Sequence, residues 1–275
     1  MAKPTQIHRV GEAQPFINML LVAETGWGKT PFMGTADNRM LIASIDPEGT
    51  DSAAYAGSTA DEWVIRTMEE WTALCVYMRK SGCSDYDWLG IDSLTELQKL
   101  LMKHQLMNRP VRGKQEPLVA DQPDYLKTQL QLVELVKEIN DLPVNVLWTA
   151  LPMEQESADG EVRYFPAVHG GRGDLSRQVR GYMKINAAGE ILGDEGESRT
   201  RRMHFIQTGP YMGRDRTSSL GDYQDDLTIP ALEKLVAARR KRLTTPTPTS
   251  TAAKTVAAPT KKPGVRRRTV PSKTS

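Results

Sequence analysis

The chain has only two cysteines in 275 residues, Cys75 and Cys83, with no second pair beside them. That excludes a disulfide-stapled scaffold and a cysteine-based zinc site, and a reducing, cytoplasmic compartment is the expected setting. No apolar run approaches the ~20 residues needed to cross a bilayer. Met1–Val10 (MAKPTQIHRV) lacks the apolar stretch of a signal peptide, so no membrane partner is expected. Acids are missing from one end: Arg239–Ser275 holds 11 Lys and Arg, nine Thr and five Pro, and no Asp or Glu. Such a segment has little to bury, so 243–275 is expected as a disordered basic tail that either contacts phosphates or only solubilises the protein. Met1–Ala238 carries 25 basic against 34 acidic residues, a net charge of −9, so any nucleic-acid surface there must be local. At 39% hydrophobic and 25% charged, the chain can build a core, expected as one domain over 17–242 after an N-terminal segment 1–16.

Four short apolar runs have strand length: Ile17–Ala23 (INMLLVA), Met40–Asp46 (MLIASID), Asp87–Asp92 (DWLGID) and Val144–Ala150 (VNVLWTA). Continuous rather than alternating apolarity predicts strands covered on both faces, as in a parallel sheet. Helical spacing lies between them. Val64, Met68, Trp71, Cys75 and Met78 share one face, Leu94, Leu97 and Leu101 another, and Tyr125–Ile139 gives a third stripe. The alternation predicts an α/β fold of right-handed βαβ units. Beyond Ala150 the pattern changes. Pro152–Arg180 reads as a polar, glycine-containing loop, Tyr182–Ala187 and Arg201–Thr208 as two strands of a late hairpin, and Leu227–Arg242 as a closing helix.

The segment after the first strand, Ala23-Glu24-Thr25-Gly26-Trp27-Gly28-Lys29-Thr30, fits the phosphate-loop pattern at every slot but the first, where Ala23 stands for glycine. Gly26 and Gly28 allow a tight turn whose N–H groups face a phosphate. Lys29 supplies positive charge to the terminal phosphates, the Thr30 hydroxyl suits Mg²⁺, and Pro31 falls in the first helical turn, where its missing N–H costs little. The blander reading is a glycine-rich strand-to-helix turn. A magnesium shell needs an acid at a neighbouring strand end, and Asp92 stands there; it could equally cap the helix starting at Leu94, unless Ser93 does so. Glu48, in Ile45-Asp46-Pro47-Glu48-Gly49, follows the second strand, where a carboxylate can orient an attacking water, although Asp-Pro-Glu-Gly is also good turn chemistry.

GWGKT, IDPEG and LGIDSL, in this order after three successive strands, resemble the RecA-like ATPases. More closely, the chain is similar to compact phage RecA-like ATPases of the single-strand-annealing recombinase group, over roughly Asn18–Val236. The resemblance implies a RecA-like P-loop core, mainly parallel and flanked by helices, with ATP and Mg²⁺ as cofactors. It implies ATP contacts from Glu24, Thr25, Gly26, Trp27, Gly28, Lys29, Thr30 and Pro31, magnesium held by Thr30 and Asp92, and water primed by Glu48. Tyr211–Thr217 (YMGRDRT) resembles the family's basic motif, which makes Arg214 and Arg216 fingers reaching the neighbouring subunit's γ-phosphate; alternatively they are an exposed loop pair. In the family, loops after the third and fourth strands contact single-stranded DNA. Here that region is Pro152–Arg180, with Arg163, Arg172, Arg177 and Arg180 for phosphates and Tyr164 and Phe165 for stacking, against the simpler reading of a long surface loop. A second polar loop, Pro110–Gln122, carries Arg112 and Lys114. The implied partners are single-stranded DNA, further copies of the chain in a ring or filament, and a single-strand-binding protein. The implied activity is a DNA-dependent ATPase in phage recombination, by annealing or strand exchange. The chain departs from the family at Ala23 and at the end of the fourth strand, which lacks the expected Gln or His as γ-phosphate sensor; Thr149 and Gln155 are the substitutes at hand. That departure leaves a second reading, a nucleotide-gated binding module or loader with negligible hydrolysis that partners a single-strand-binding protein or a helicase.

Overall fold

In the computed structural model, the described residues are 16–46, 49–109, 119–156, 160–170, 174–193 and 199–244. Glu48, Arg172, residues 110–118 of the 110–122 loop, residues 1–15 of the expected segment 1–16 and residues 245–275 of the expected tail 243–275 lie outside them.

Four of the apolar runs form β1 (Asn18–Val22), β2 (Met40–Ser44), β4 (Trp88–Asp92) and β5 (Asn145–Ala150). Their continuous apolarity has a direct cause. Leu20 and Val22 of β1 face one apolar layer with Trp71, Leu97 and Val136, whereas Met19 and Leu21 face another with Phe32, Met33 and Leu232. With both faces covered, successive side chains must all be apolar. The first layer is roofed by α3 (Met68–Tyr77), α5 (Leu94–Asn108), α6 (Gln122–Asn140) and α7 (Asp174–Gly181). The second is roofed by α1 (Lys29–Gly34) and α8 (Ile229–Thr244). Two short helices, α2 (Asp51–Tyr55) and α4 (Cys83–Asp85), complete the helical set of the described residues, α4 following a π-helical turn at Met78–Gly82.

The main sheet runs β13-β9-β8-β1-β5-β4-β2-β3, with β3 at Asp61–Val64, β8 at Ile185–Leu192, β9 at Thr200–His204 and β13 at Tyr223–Asp225. From β8 to β3 every pairing is parallel, and β9 and β13 close the other edge antiparallel. The expected α/β class and the late antiparallel hairpin are therefore present. The hairpin's first strand starts later and runs further than the apolar pattern implied, through Ala188–Leu192.

Two expectations fail. Val64 is not on the α3 face: it ends the edge strand β3 and is exposed, and α3 begins only at Met68, after a capping box made by Thr67 and Glu70. The Pro152–Arg180 segment is not simply a loop. It forms β6 (Pro152–Glu156) and β7 (Val162–Pro166), an antiparallel pair, followed by α7. The Ser176 hydroxyl of α7 donates to the Pro166 carbonyl at 3.0 Å, tying helix to hairpin. With β10 (Gln207–Thr208) and β11 (Tyr211–Met212) the pair makes a second, four-stranded sheet, joined to the main one where Tyr211 stacks on His204 at 4.7 Å.

Candidate nucleotide site

β1 ends at Val22, and the chain turns through Thr25–Gly28 into α1. Gly26 and Gly28 have φ of 82° and 99°, a region that favours glycine, so the turn demands these two residues. Ala23, in the slot where the pattern has its first glycine, is not among the residues of positive φ, so a side chain costs nothing there. The turn opens into a cavity of about 830 Å³ at the carboxyl edge of the sheet, with Lys29, Thr30, Asp46, Asp92 and Glu96 in its wall.

Thr30 and Asp92, 62 residues apart, meet in this wall: the Thr30 hydroxyl donates to Asp92 Oδ2 at 2.5 Å. The other carboxylate oxygen, Oδ1, accepts from the buried Thr149 hydroxyl at 2.6 Å. Thr149 thus orients Asp92 from β5 and is not placed as a γ-phosphate sensor. Ser93 caps α5, accepting from the Glu96 N–H at 3.3 Å, which leaves Asp92 turned to the cavity. The Lys29 ammonium donates to the carbonyls of Ala23 (2.9 Å) and Glu24 (3.0 Å), arching back over the turn. Burial pulls its pKa below the ordinary lysine value, against the opposing pull of Asp92, Glu24 and Asp46. The hard oxygens of Thr30 and Asp92 suit Mg²⁺, which keeps most of its waters and takes few protein ligands. No cluster of three or more His, Cys, Asp or Glu that could hold a metal ion occurs among the described residues.

A family model described as an AAA domain (AAA_24) matches residues 16–192, more than half of the chain and all of this site. The chain belongs to this AAA domain family. It is an α/β P-loop protein, in a family whose members bind nucleotide. Among solved structures, the AAA domain is similar to a KaiC-like protein of Pyrococcus horikoshii, at 12% identity and a TM-score of 0.42, over 74% of this chain and 84% of that one. A second similarity is to the flagellar accessory protein FlaH of Methanocaldococcus jannaschii, at 10% identity and a TM-score of 0.35, over 75% and 83%. No curated protein matched the sequence.

Some expected site residues of the AAA domain face elsewhere. Trp27 does not present its ring to the cavity: it is buried, donates from Nε1 to the Glu190 carbonyl at 3.0 Å and packs edge-on to Phe32. Glu24 borders a smaller pocket on the far side of the turn, beside Gly189 and Tyr211; its carbonyl accepts from Lys29 and its carboxylate acts on Lys29 through charge. Arg214, in β12 (Arg214–Asp215), pairs with Asn186, level with Leu20 midway along β1. Arg216 lies further toward the amino edge and donates to the Gly181 carbonyl at 2.9 Å. Neither lines the cavity beside this chain's own turn. Arg180 donates to the Met212 carbonyl at 2.6 Å and, with Arg177, covers the buried ring of Phe165. Phe165 is therefore not an open stacking platform, and Arg180 is tied into the fold; Arg163 on β7 is half-buried and paired with Glu161 at 3.2 Å, and Arg177 on α7 is exposed. Residue order alone did not single out Glu96 or Tyr55, and it offered Thr149 as a γ-phosphate sensor rather than as the partner of Asp92. Tyr55 of α2 is 90% exposed at the cavity mouth, an aromatic face that core packing leaves open.

The turn is also supported from below. A Cβ on Gly189 would lie 2.7 Å from Ala23 Cβ and from Trp27 Nε1. Gly189→Ala is expected to cost about 1–3 kcal/mol by overpacking and to weaken nucleotide binding by displacing Trp27 between the two turn glycines. Thermal melting and a nucleotide titration of the variant check this, and unchanged values in both would contradict it.

Proposed function

We propose that this chain binds Mg²⁺–ATP in the cavity after β1 and hydrolyses it, and that it acts on single-stranded DNA in phage recombination by annealing or strand exchange. The observation that carries the ATPase reading is the Thr30–Asp92 contact beside Lys29, within one cavity reached through a two-glycine turn. Thr30 and Asp92 would hold the metal, which supplies charge neutralisation at the terminal phosphates. Lys29 binds the same phosphates, Tyr55 offers a face to the base, and Glu48 orients the water.

The family resemblance makes Arg214 and Arg216 fingers for a neighbouring subunit's site, a reading compatible with their place midway along and beyond the middle of the sheet rather than at its carboxyl edge. The DNA part of the proposal rests on the family resemblance and on Arg163 and Arg177, with Arg172 between them in sequence. A single-strand-binding protein is the natural partner on such a substrate. The loader reading draws support from Thr149, whose hydroxyl is committed to Asp92 and so leaves β5 without a free polar end. Steady-state phosphate release with Mg²⁺–ATP, with and without a poly-pyrimidine single strand, tests the proposal. Strong stimulation by DNA is expected; turnover without stimulation removes the DNA assignment, and ATP-gated DNA binding without turnover selects the loader.

A further inference from the structure

The cavity is electrostatically lopsided. Among the described residues its wall holds four carboxylates, Asp46, Asp51, Asp92 and Glu96, against one cation, Lys29. A nucleoside phosphate adds more negative charge, so further cationic groups must come from outside that wall.

One is at hand. Arg201 lies on β9, paired with Ile191 of β8, and its guanidinium rests against the phosphate-loop turn: a Cβ on Gly28 would sit 2.6 Å from Nη1 and 3.3 Å from Cδ. The next residue, Arg202, points the other way and is locked to Asp225 by two hydrogen bonds of 2.7 and 2.8 Å. The Arg201 guanidinium, exposed, has no hydrogen-bond or ion-pair partner among the described residues. Its backbone, by contrast, is held twice by Asp226, accepting from that N–H at 2.8 Å and donating to Oδ1 at 3.0 Å. Among the described residues the side chain is therefore an unpaired guanidinium on a fixed base. The sheet order sets its direction of approach. Asp92 reaches the turn from β4, two strands to one side of β1, and Arg201 reaches it from β9, two strands to the other side.

We propose that Arg201 is a nucleotide-binding residue that closes on the phosphate chain from the side opposite Asp92. Its planar fork of donors matches phosphate oxygens, and at the edge of a partly dehydrated site such a contact is stronger than an exposed ion pair. The pairing of Thr30 and Asp92 with one end of the chain and Arg201 with the other fixes the direction in which the nucleotide lies across Gly28.

This inference rests on the nucleotide reading above, and a calorimetric ADP titration of the full chain in Mg²⁺ separates the two. If wild type fails to bind ADP, the nucleotide reading itself falls. If wild type binds and Lys29→Ala does not, the reading stands and the Arg201 variants decide the inference. Arg201→Gln is expected to weaken ADP about tenfold or more, the scale of a hydrogen bond to a charged group. Arg201→Lys should recover part of that loss, because it restores the charge without the fork. Both variants should melt with wild type in the absence of nucleotide, since the guanidinium has no partner to lose. Wild-type affinity in Arg201→Gln would overturn the proposal, and so would an equal loss in the Gln and Lys variants, which would make packing rather than charge the cause.

Discussion

Lys29→Ala is expected to weaken ATP and ADP binding by at least roughly 100-fold, with little change in the melting temperature of the nucleotide-free protein. The two halves of this expectation have one cause. Among the described residues of the cavity wall Lys29 is the single cation beside four carboxylates, so without it the site repels polyphosphate. In the free protein its ammonium loses solvation by burial, and two backbone carbonyls with the pull of Asp92, Glu24 and Asp46 repay that loss only in part, which leaves its pKa lowered. Removing the charge then sacrifices ligand affinity and leaves the fold almost untouched. Parallel titrations and melts measure both quantities. Intact binding in a folded Lys29→Ala protein would place the nucleotide elsewhere.

Glu48→Gln is expected to keep nucleotide affinity within a few-fold of wild type and to lower turnover about 10²–10⁴-fold, the range of general acid–base catalysis. The neighbours of Glu48 motivate this. The Ile45 and Asp46 N–H groups both donate to the Asp92 carbonyl, at 2.7 and 3.2 Å, which anchors the end of β2 to the end of β4. Asp46 and Gly49, on either side of the Pro47–Glu48 pair, both line the cavity. A glutamine can still hydrogen-bond water but takes no proton from it. Single-turnover phosphate release at saturating Mg²⁺–ATP isolates that step from binding. Unchanged turnover would remove Glu48 from the reaction and make Glu96, in the same wall, the next carboxylate to replace.

The parts of the fold legible in the sequence are those written in local pattern. Strands buried on both faces appear as unbroken apolar runs, and the two-glycine turn appears as a motif because φ values of 82° and 99° exclude other residues. Asp92 could be anticipated because an apolar run delivers its last residue to the sheet edge. β3 escaped because an edge strand with two acids and an exposed valine carries no such run. The β6–β7 hairpin escaped because only Phe165 and Pro166 of its residues are buried, so its polar strands resemble a loop. The residues around the cavity were harder still. Thr149 meets Asp92 across 57 residues and Arg201 meets Gly28 across the whole βαβ core, contacts that strand order creates and no spacing announces. Trp27 shows the converse: its place inside the motif suggested a ligand contact, whereas its size sent it into the core under β8.

The most direct test of the central claim is a calorimetric titration of the full chain with ADP, in Mg²⁺ and again in EDTA. One site per chain is expected, with affinity clearly tighter in Mg²⁺ than in EDTA, because Thr30 and Asp92 present their oxygens to a metal beside the phosphates. No heat of binding in either buffer, or an affinity indifferent to the metal, would contradict the assignment of this cavity as a magnesium–nucleotide site.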